Sequence, residues 1–431
     1  MLKFYALCLL SAFFTLFISG CDDDSNETVD SEFEPVKMGL LIPLTGTYSE
    51  SGADLDKATQ LAAEHLREAG YPIDLFKHDT QSNKEMAYNS AKTRFDKKKI
   101  QTLICCRSSA ITLEVAKKVS IDNQLTQIAY SASSVEITNL IDQDFLFRTN
   151  ASDKGQGTVL ARLVYDEGYR NIVIFYINDA FGKSLRAEFE KNFELLSDQS
   201  IYIYPVAHEE QEEQETYLTQ LIEAKHKIET EGIKDGKTVL IPISFVKQAK
   251  IYLKQAIDNN LFKNFWFVGS TKSKELVEAL GKRHFEGMCG TVSSGLFFSS
   301  SLEKFQESYE TKYGHSQTSF LPNIYDAVVV SALAAYSAQA MGEALTSFSI
   351  RDHLRRVAGW PGEQVIAGPE GLRQALSYLR DGQEINYVGA SGDVDFDENG
   401  DVVTPVEIWC YENGDIVTKR LEQPCLFCAK K

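Results

Sequence analysis

Lys37-Met38-Gly39-Leu40-Leu41-Ile42-Pro43-Leu44-Thr45-Gly46 is the stretch on which the fold turns. A short apolar run meets a proline that cannot donate to a strand ladder, then a Thr-Gly pair, so it reads as a buried strand feeding a turn. Beyond it, Ala58, Leu61, Ala62 and Leu66 recur at three- and four-residue spacing, which predicts a helix stopped by Gly70. The alternation then repeats: strand Ile73–Lys77, helix Lys84–Lys97, strand Thr102–Cys105, helix Ile111–Ser120, strand Gln127–Tyr130. Strands alternating with helices predict an α/β fold with a doubly wound parallel sheet.

A second set of the same kind follows Arg148. Helices are expected at Gly155–Glu167, Lys183–Leu195, Thr216–Glu229 and Lys247–Asn259, with strands at Asn171–Tyr176, Ile201–Pro205, Thr238–Ile243 and Phe265–Val268. The acidic run Glu209–Glu215 suits the opening of the Thr216 helix, where negative charge offsets the helix dipole. From about Phe297 come helices Leu302–Lys312 and Ile324–Met341, then an extended pair at Gly392–Phe396 and Val406–Tyr411. A chain of about 395 residues after the N-terminal segments is longer than one core usually supports, so two lobes are expected. The N-terminal lobe is assigned residues 36–150 plus about 295–388, and the C-terminal lobe 151–294 plus about 389–431. Several crossovers join them as a hinge, and a ligand cleft is expected at the carboxyl ends of the strands.

The N-terminus reads as an export signal. Lys3 precedes an apolar run from Phe4 to Ile18, too short and too early for a membrane span, which ends at Ile18-Ser19-Gly20-Cys21. Small residues before a cysteine form a bacterial lipobox, so residues 1–20 are read as signal peptide and Cys21 as the lipidated first residue. The polar, acidic stretch 21–35 lacks the apolar content to fold and is expected to be a tether reaching roughly 20 Å. Asp22 is similar to a retention signal for the inner membrane, which places the protein on the periplasmic side of that membrane.

The formal net charge of -17 disfavours nucleic acid and anionic lipid headgroups as partners. Lys97-Lys98-Lys99 is read as a solvated helix end. Apart from Cys8 in the signal and Cys21, the cysteines are Cys105, Cys106, Cys289, Cys410, Cys425 and Cys428, an even number compatible with disulfides whose pairing stays open. Cys425-Leu426-Phe427-Cys428 has redox or metal spacing but no second pair, and is read as a structural staple. Asp395–Asp401 has oxygen ligands at alternating positions and a glycine sixth, but Val406 stands where a calcium loop carries glutamate, so a polar turn is expected. Without a P-loop, an HExxH pair or a GxSxG elbow, no enzyme, metal or cofactor is expected.

Several motifs resemble the leucine/isoleucine/valine-binding proteins, type I periplasmic solute-binding proteins of ABC transporters. Gly39–Gly46 is similar to their first strand and turn, Cys106-Arg107-Ser108-Ser109-Ala110-Ile111-Thr112 to their first ligand loop and Tyr130-Ser131-Ala132-Ser133-Ser134 to their second. Phe147–Asp153 resembles the first crossover. Ile324-Tyr325-Asp326-Ala327 and Tyr387–Asp397 follow in family order. The resemblance spans nearly the whole chain after the tether and implies the type I fold, ligand capture between lobes and an ABC permease as partner.

Carried over residue by residue, the resemblance makes Ser51, Ser109, Ser131, Ala132, Ser133, Phe181, Phe245 and Thr271 the ligand-binding set. Ser109 precedes a helix, where its hydroxyl and nearby N–H groups suit a carboxylate or serve as the helix cap. Ser131 and Ser133 follow a strand end and suit an ammonium. The chain also departs from the family. Ser51 stands where amino acid receptors carry an aromatic, with Tyr48 nearby; Phe181 and Phe245 replace tyrosines; Thr271 replaces an acidic residue that neutralises the ligand ammonium. The expected ligand is therefore a small polar molecule: an amino acid, an amide or a small carboxylate. An interaction or sensory lipoprotein regulating a membrane or cell-wall partner is the alternative.

Overall fold

In the computed structural model, residues 33–196, 200–209, 215–293, 299–316 and 318–424 are described. The signal, Cys21, the tether as far as Glu32, Cys425 and Cys428 lie outside them, as does part of the acidic run; Phe33 and Glu34, assigned to the tether, instead pack on the first lobe, the Phe33 ring edge-on to Tyr336 at 4.9 Å and Glu34 N donating to Gln339 Oε1 at 2.8 Å.

The opening stretch forms β1 (Lys37–Ile42), buried from Met38 to Ile42. With β2 (Asp74–Asp79), β3 (Thr102–Ile104), β4 (Thr126–Ala129) and β5 (Leu146–Arg148) it makes a five-stranded sheet in the order β2-β1-β3-β4-β5, parallel throughout. Strands buried on both faces read as continuous apolar runs because helices cover both sides. After β1, Gly46 turns the chain at φ 86°, and its α-carbon passes so close to the Gln81 carbonyl that a side chain has no room. Helix Ser49–Ala69 follows, ended by Gly70 in the left-handed conformation with its N–H on the carbonyls of Leu66 and Arg67.

The second lobe has β6 (Tyr169–Ile177), β7 (Tyr202–His208) and β8 (Lys237–Ile243) in the parallel order β7-β6-β8. The stretch expected as strand Phe265–Val268 makes single bridges, Leu240 to Phe265 and Phe267 to Gly290, which lead on to β9 (Cys289–Ser293).

After β9 the chain returns to the first lobe before a last crossing back. Helix Leu321–Ala340 is apolar all round and lies inside the first-lobe core, as such a pattern requires. Its one carboxylate, Asp326, is fully buried and accepts from Tyr387 Oη at 2.8 Å, Ala390 N at 2.9 Å and Ser391 N at 2.6 Å. The two late motifs of the sequence are thus one hydrogen-bonded unit. Burial pushes the Asp326 carboxyl up to about 6 against those bonds.

Two expectations change here. Helices Ser347–Val357 and Pro369–Arg380 and a small sheet of β10 (Glu363–Ile366), β11 (Ile385–Gly389) and β12 (Gly392–Asp393) occupy a region left unassigned. Gly392 therefore pairs with Gly389 and not with the Val406 strand. That strand, β13 (Val406–Glu412), runs antiparallel to β14 (Asp415–Glu422) on one side and β9 on the other. Moreover, Val394, Phe396 and Val402 pack in the first-lobe core, whereas Val406 and Ile408 pack in the second. The last crossing thus falls at 403–405, later than 388, because the apolar side chains after β12 face the first lobe. Cys289 and Cys410 stand opposite each other in the β9–β13 pair and are disulfide-bonded; Cys105 and Cys106 are bonded to each other.

Candidate functional site

A narrow cavity lies where the strand ends of the two lobes face each other. The first lobe contributes Arg107, Ser108, Ser109, Ser131 and Ser133; the second contributes Gln156, Phe181, Phe245, Gly269 and Ser270. Asn150, Val292 and Ser293 at the crossovers, and Phe320, complete it. The space open to the centres of water molecules is about 40 Å³, room for a few waters or a small solute.

The first loop leaves β3 at the bonded Cys105–Cys106 pair and enters helix Ser109–Val115. Ser108, not Ser109, caps that helix, accepting from Ile111 N at 3.3 Å. Ser109 is therefore free of its own helix. Its Oγ accepts the N–H groups of Ser133 and Ser134, both at 3.2 Å, which ties the first loop to the second. A hydroxyl that accepts twice keeps its proton to donate elsewhere.

The second loop leaves β4 through Tyr130. Ser131 Oγ donates to the Arg107 carbonyl at 2.5 Å, and its own carbonyl accepts from Asn150 Nδ2 at 2.9 Å. Both groups expected to receive an ammonium thus already serve the framework. Ser133 lines the cavity, while its carbonyl takes Asp153 N at 2.7 Å. Ala132 does not reach the cavity: it is buried in an apolar cluster behind the loop.

Arg107 is the feature that sequence reading passed over. Its guanidinium lies against the ring of Phe320 at 4.7 Å and that of Tyr48 at 5.8 Å. Nε is sealed from water and has no hydrogen-bond partner, and no carboxylate pairs with the group among the described residues. Burial lowers its proton affinity, while Tyr130 and Tyr48 oppose that; an arginine stays charged regardless. Among the described residues lining the cavity it is the one ionisable group. The residue stands inside the Cys106–Thr112 loop, where its signal is a lone cation in an otherwise neutral Ser-rich segment.

Aromatic rings close the cleft. Tyr48 of the first lobe meets Phe245 of the second edge-on at 5.0 Å, and Phe245 lies 5.8 Å from Phe181. Tyr48 thus brings an aromatic ring from the first lobe against the second. Ser51 itself stays off the cavity, its hydroxyl donating to the Tyr48 carbonyl at 2.8 Å one turn into the helix. Phe181 is held by an Asp179 turn, in which Oδ1 accepts Gly182 N at 2.8 Å, and Gly182 passes too near the Ile177 carbonyl for any side chain. Thr271 also departs from expectation. It is fully buried and its Oγ1 donates to the Val268 carbonyl at 3.0 Å, closing its own turn; Gly269 and Ser270 form the wall instead. The Ser270 hydroxyl oxygen is buried without a partner.

Beside the cavity, at the first crossover, Asp153 is fully buried next to the hydroxyls of Ser133 and Ser184. Neither of its carboxylate oxygens has a well-formed hydrogen bond, and burial pushes the carboxyl up to about 7 despite those hydroxyls and Arg148.

Residues 35–384 match the family model for periplasmic binding proteins. The chain belongs to that family. Such proteins are extracytoplasmic and work with ABC transporters, and the fold is the two-lobed type I form. Over 90% of each chain, this periplasmic binding protein is 23% identical to the chemotactic signal transduction system substrate-binding protein BasB of Halobacterium salinarum. It is similar in structure to the leucine-binding protein LivK of Thermotoga maritima, with a TM-score of 0.73 and 21% identity, covering 90% of this chain and 99% of that one. A solute-binding protein of an R. palustris ABC transporter, solved with benzoate, has a TM-score of 0.68 and 16% identity, covering 91% of this chain and 97% of that one. These relatives are solute-binding proteins, not enzymes.

Proposed function

We propose that this periplasmic binding protein captures a small carboxylate between its lobes and hands it to an ABC permease, tethered to the inner membrane through lipid on Cys21. The observation that carries the ligand class is Arg107: a cation at the cavity wall, without a counter-ion among the described residues and with an unpartnered Nε. A buried donor left unpaired costs about 1–3 kcal/mol, which a ligand carboxylate recovers. Planar, bidentate donors suit a carboxylate better than a neutral amide. A zwitterionic amino acid would also need its ammonium neutralised, and among the described residues no acidic one lines the cavity. The benzoate-bound relative supports the same class.

Ser109 donates its remaining proton to the ligand in this reading, Ser133 and Ser270 supply further polar contacts, and Phe181 and Phe245 form the apolar wall. Contacts made with both lobes at once favour the closed form over the open one. The relative in a chemotactic system favours a second use of the same closed form, presentation to a membrane sensor. A thermal-shift screen over small carboxylates, amides and amino acids tests the ligand class. At about a hundred times its dissociation constant a ligand stabilises the protein by roughly 2.7 kcal/mol, a midpoint rise on the order of 5–10 °C. If leucine, isoleucine or valine gives the largest rise and carboxylates none, the Arg107 reading is wrong.

A further inference from the structure

A second cavity opens behind Phe320. It shares Asn150, Val292, Ser293 and Phe320 with the first, so the two are neighbouring compartments of one cleft with the Phe320 ring at their common wall. The second is the larger, about 250 Å³ by the same measure against about 40 Å³. Phe320 holds the left-handed conformation at φ 69° immediately before helix Leu321–Ala340, a conformation uncommon outside glycine, and so presents its ring on the Arg107 side.

The second compartment is lined by both kinds of group: hydroxyls and amides, among them Thr318, Asn323 and Thr404, alternate with Val292, Leu302, Pro322 and Ala390. Its two charges cancel: Lys272 Nζ donates to both Glu407 oxygens, at 2.7 and 2.8 Å. Thr404 is 5% exposed, and its Oγ1 is buried with no partner, although the rule for buried hydroxyls is that they are bonded. We propose that this compartment receives the distal end of an elongated ligand, and that this end is uncharged and hydroxylated. A charged tail would have to displace Lys272 or Glu407 from each other. Resting on the carboxylate reading above, the ligand is then a polyhydroxylated carboxylate, with its carboxylate on Arg107 and its tail past Phe320 toward Thr404.

Glycolate and gluconate share the carboxylate and α-hydroxyl and differ in the hydroxylated tail, so calorimetric titration of both separates the two compartments. Gluconate is expected to bind at least about 10-fold more tightly than glycolate. Thr404→Val, which keeps the shape and removes the hydroxyl, is expected to weaken gluconate roughly 2- to 10-fold and leave glycolate unchanged. Glycolate bound with gluconate no tighter overturns the second compartment alone. Equal weakening of both probes by Thr404→Val overturns it too, since the residue would then act through the fold. Binding of neither probe overturns the carboxylate reading together with this one.

Discussion

Arg148 and Asp401, 253 positions apart, form a bidentate pair with both bonds at 2.6 Å, and the arginine side chain is wholly buried. The guanidinium also donates to the Ser134 carbonyl at 3.0 Å and to Thr138 Oγ1 at 2.6 Å. One side chain thus joins the second ligand loop, the end of β5 and the stretch just before the last crossing at 403–405. The Asp397–Asp401 turn read in the sequence as polar serves this pair: Asp397 Oδ1 accepts Asn399 N at 2.8 Å and Asp401 N at 2.9 Å, holding the second aspartate in place.

Removing one partner of a buried, hydrogen-bonded pair leaves the other charge stranded, at a cost of about 3–5 kcal/mol. Asp401→Asn is therefore expected to lower the unfolding free energy by about that amount in denaturant titration. Replacing both partners together, Arg148→Met with Asp401→Leu, should cost less than the single change. A double variant as unstable as the sum of the singles would show that the pair itself, and not the stranded charge, is what matters.

Arg107→Gln keeps hydrogen-bonding capacity but removes the charge. Bonds to charged groups are worth about 1.5–3 kcal/mol, so carboxylate affinity should fall roughly 10- to 150-fold with the fold intact. Arg107→Lys should fail to restore it, because a point charge neither stacks on Phe320 nor offers a fork. Calorimetry with the best ligand from the screen decides. Affinity unchanged in Arg107→Gln would move the anchor elsewhere in the cleft.

Cys289 and Cys410 close a loop 121 residues long by sequence separation, spanning the whole excursion to the first lobe and back. Such a link restricts the unfolded chain, for which about 2–4 kcal/mol is typical. The double alanine variant should melt lower than the parent by about 4–16 °C at 2–4 °C per kcal/mol for lobes of this size. The parent should fall at least as far under reductant, which opens Cys105–Cys106 as well; a variant as stable as the oxidised parent would show that the strand pair needs no staple.

The fold was legible because it rests on periodicity. Ala58, Leu61, Ala62 and Leu66 fix a helix face, and Met38 to Ile42 a buried strand, whatever happens far away. Phe265–Val268 lies extended between β8 and β9, Trp266 N donating to the Leu240 carbonyl and Phe267 N to the Cys289 carbonyl, though its pairing is limited to single bridges, which an apolar run does not foretell. The site was legible as loops but not as side chains. Ser109 and Ser133 carried turn signals that survive folding, whereas Thr271 turned inward because its hydroxyl could close its own turn with Val268. Arg107 needed the third dimension: only the approach of Tyr48 and Phe320, from helix boundaries more than 50 residues away on either side, shows that it has rings and no carboxylate beside it.

Asp153 gives the molecule a pH dependence whose sign can be worked out. Its carboxyl is raised from 3.8 to about 7 in the folded protein, chiefly by burial. A group raised on folding contributes stability that is fully present below its unfolded value and is lost as pH climbs through the folded value. Between pH 5 and 8 the unfolded chain is ionised at this position throughout, while the folded protein must give up its proton into a buried site. Asp326, raised to about 6, acts in the same direction. The thermal midpoint should therefore fall as pH rises from 5 to 8, by an amount on the order of 2 kcal/mol for Asp153. Asp153→Asn mimics the protonated carboxyl and should flatten the upper part of that profile, leaving the smaller contribution of Asp326 below pH 7. Because Asp153 lies beside Ser133, the same substitution should also remove any weakening of ligand binding above pH 7. A variant whose midpoint still falls between pH 6 and 7, where Asp326 has largely ionised, as steeply as the parent's would mean that another group carries the dependence.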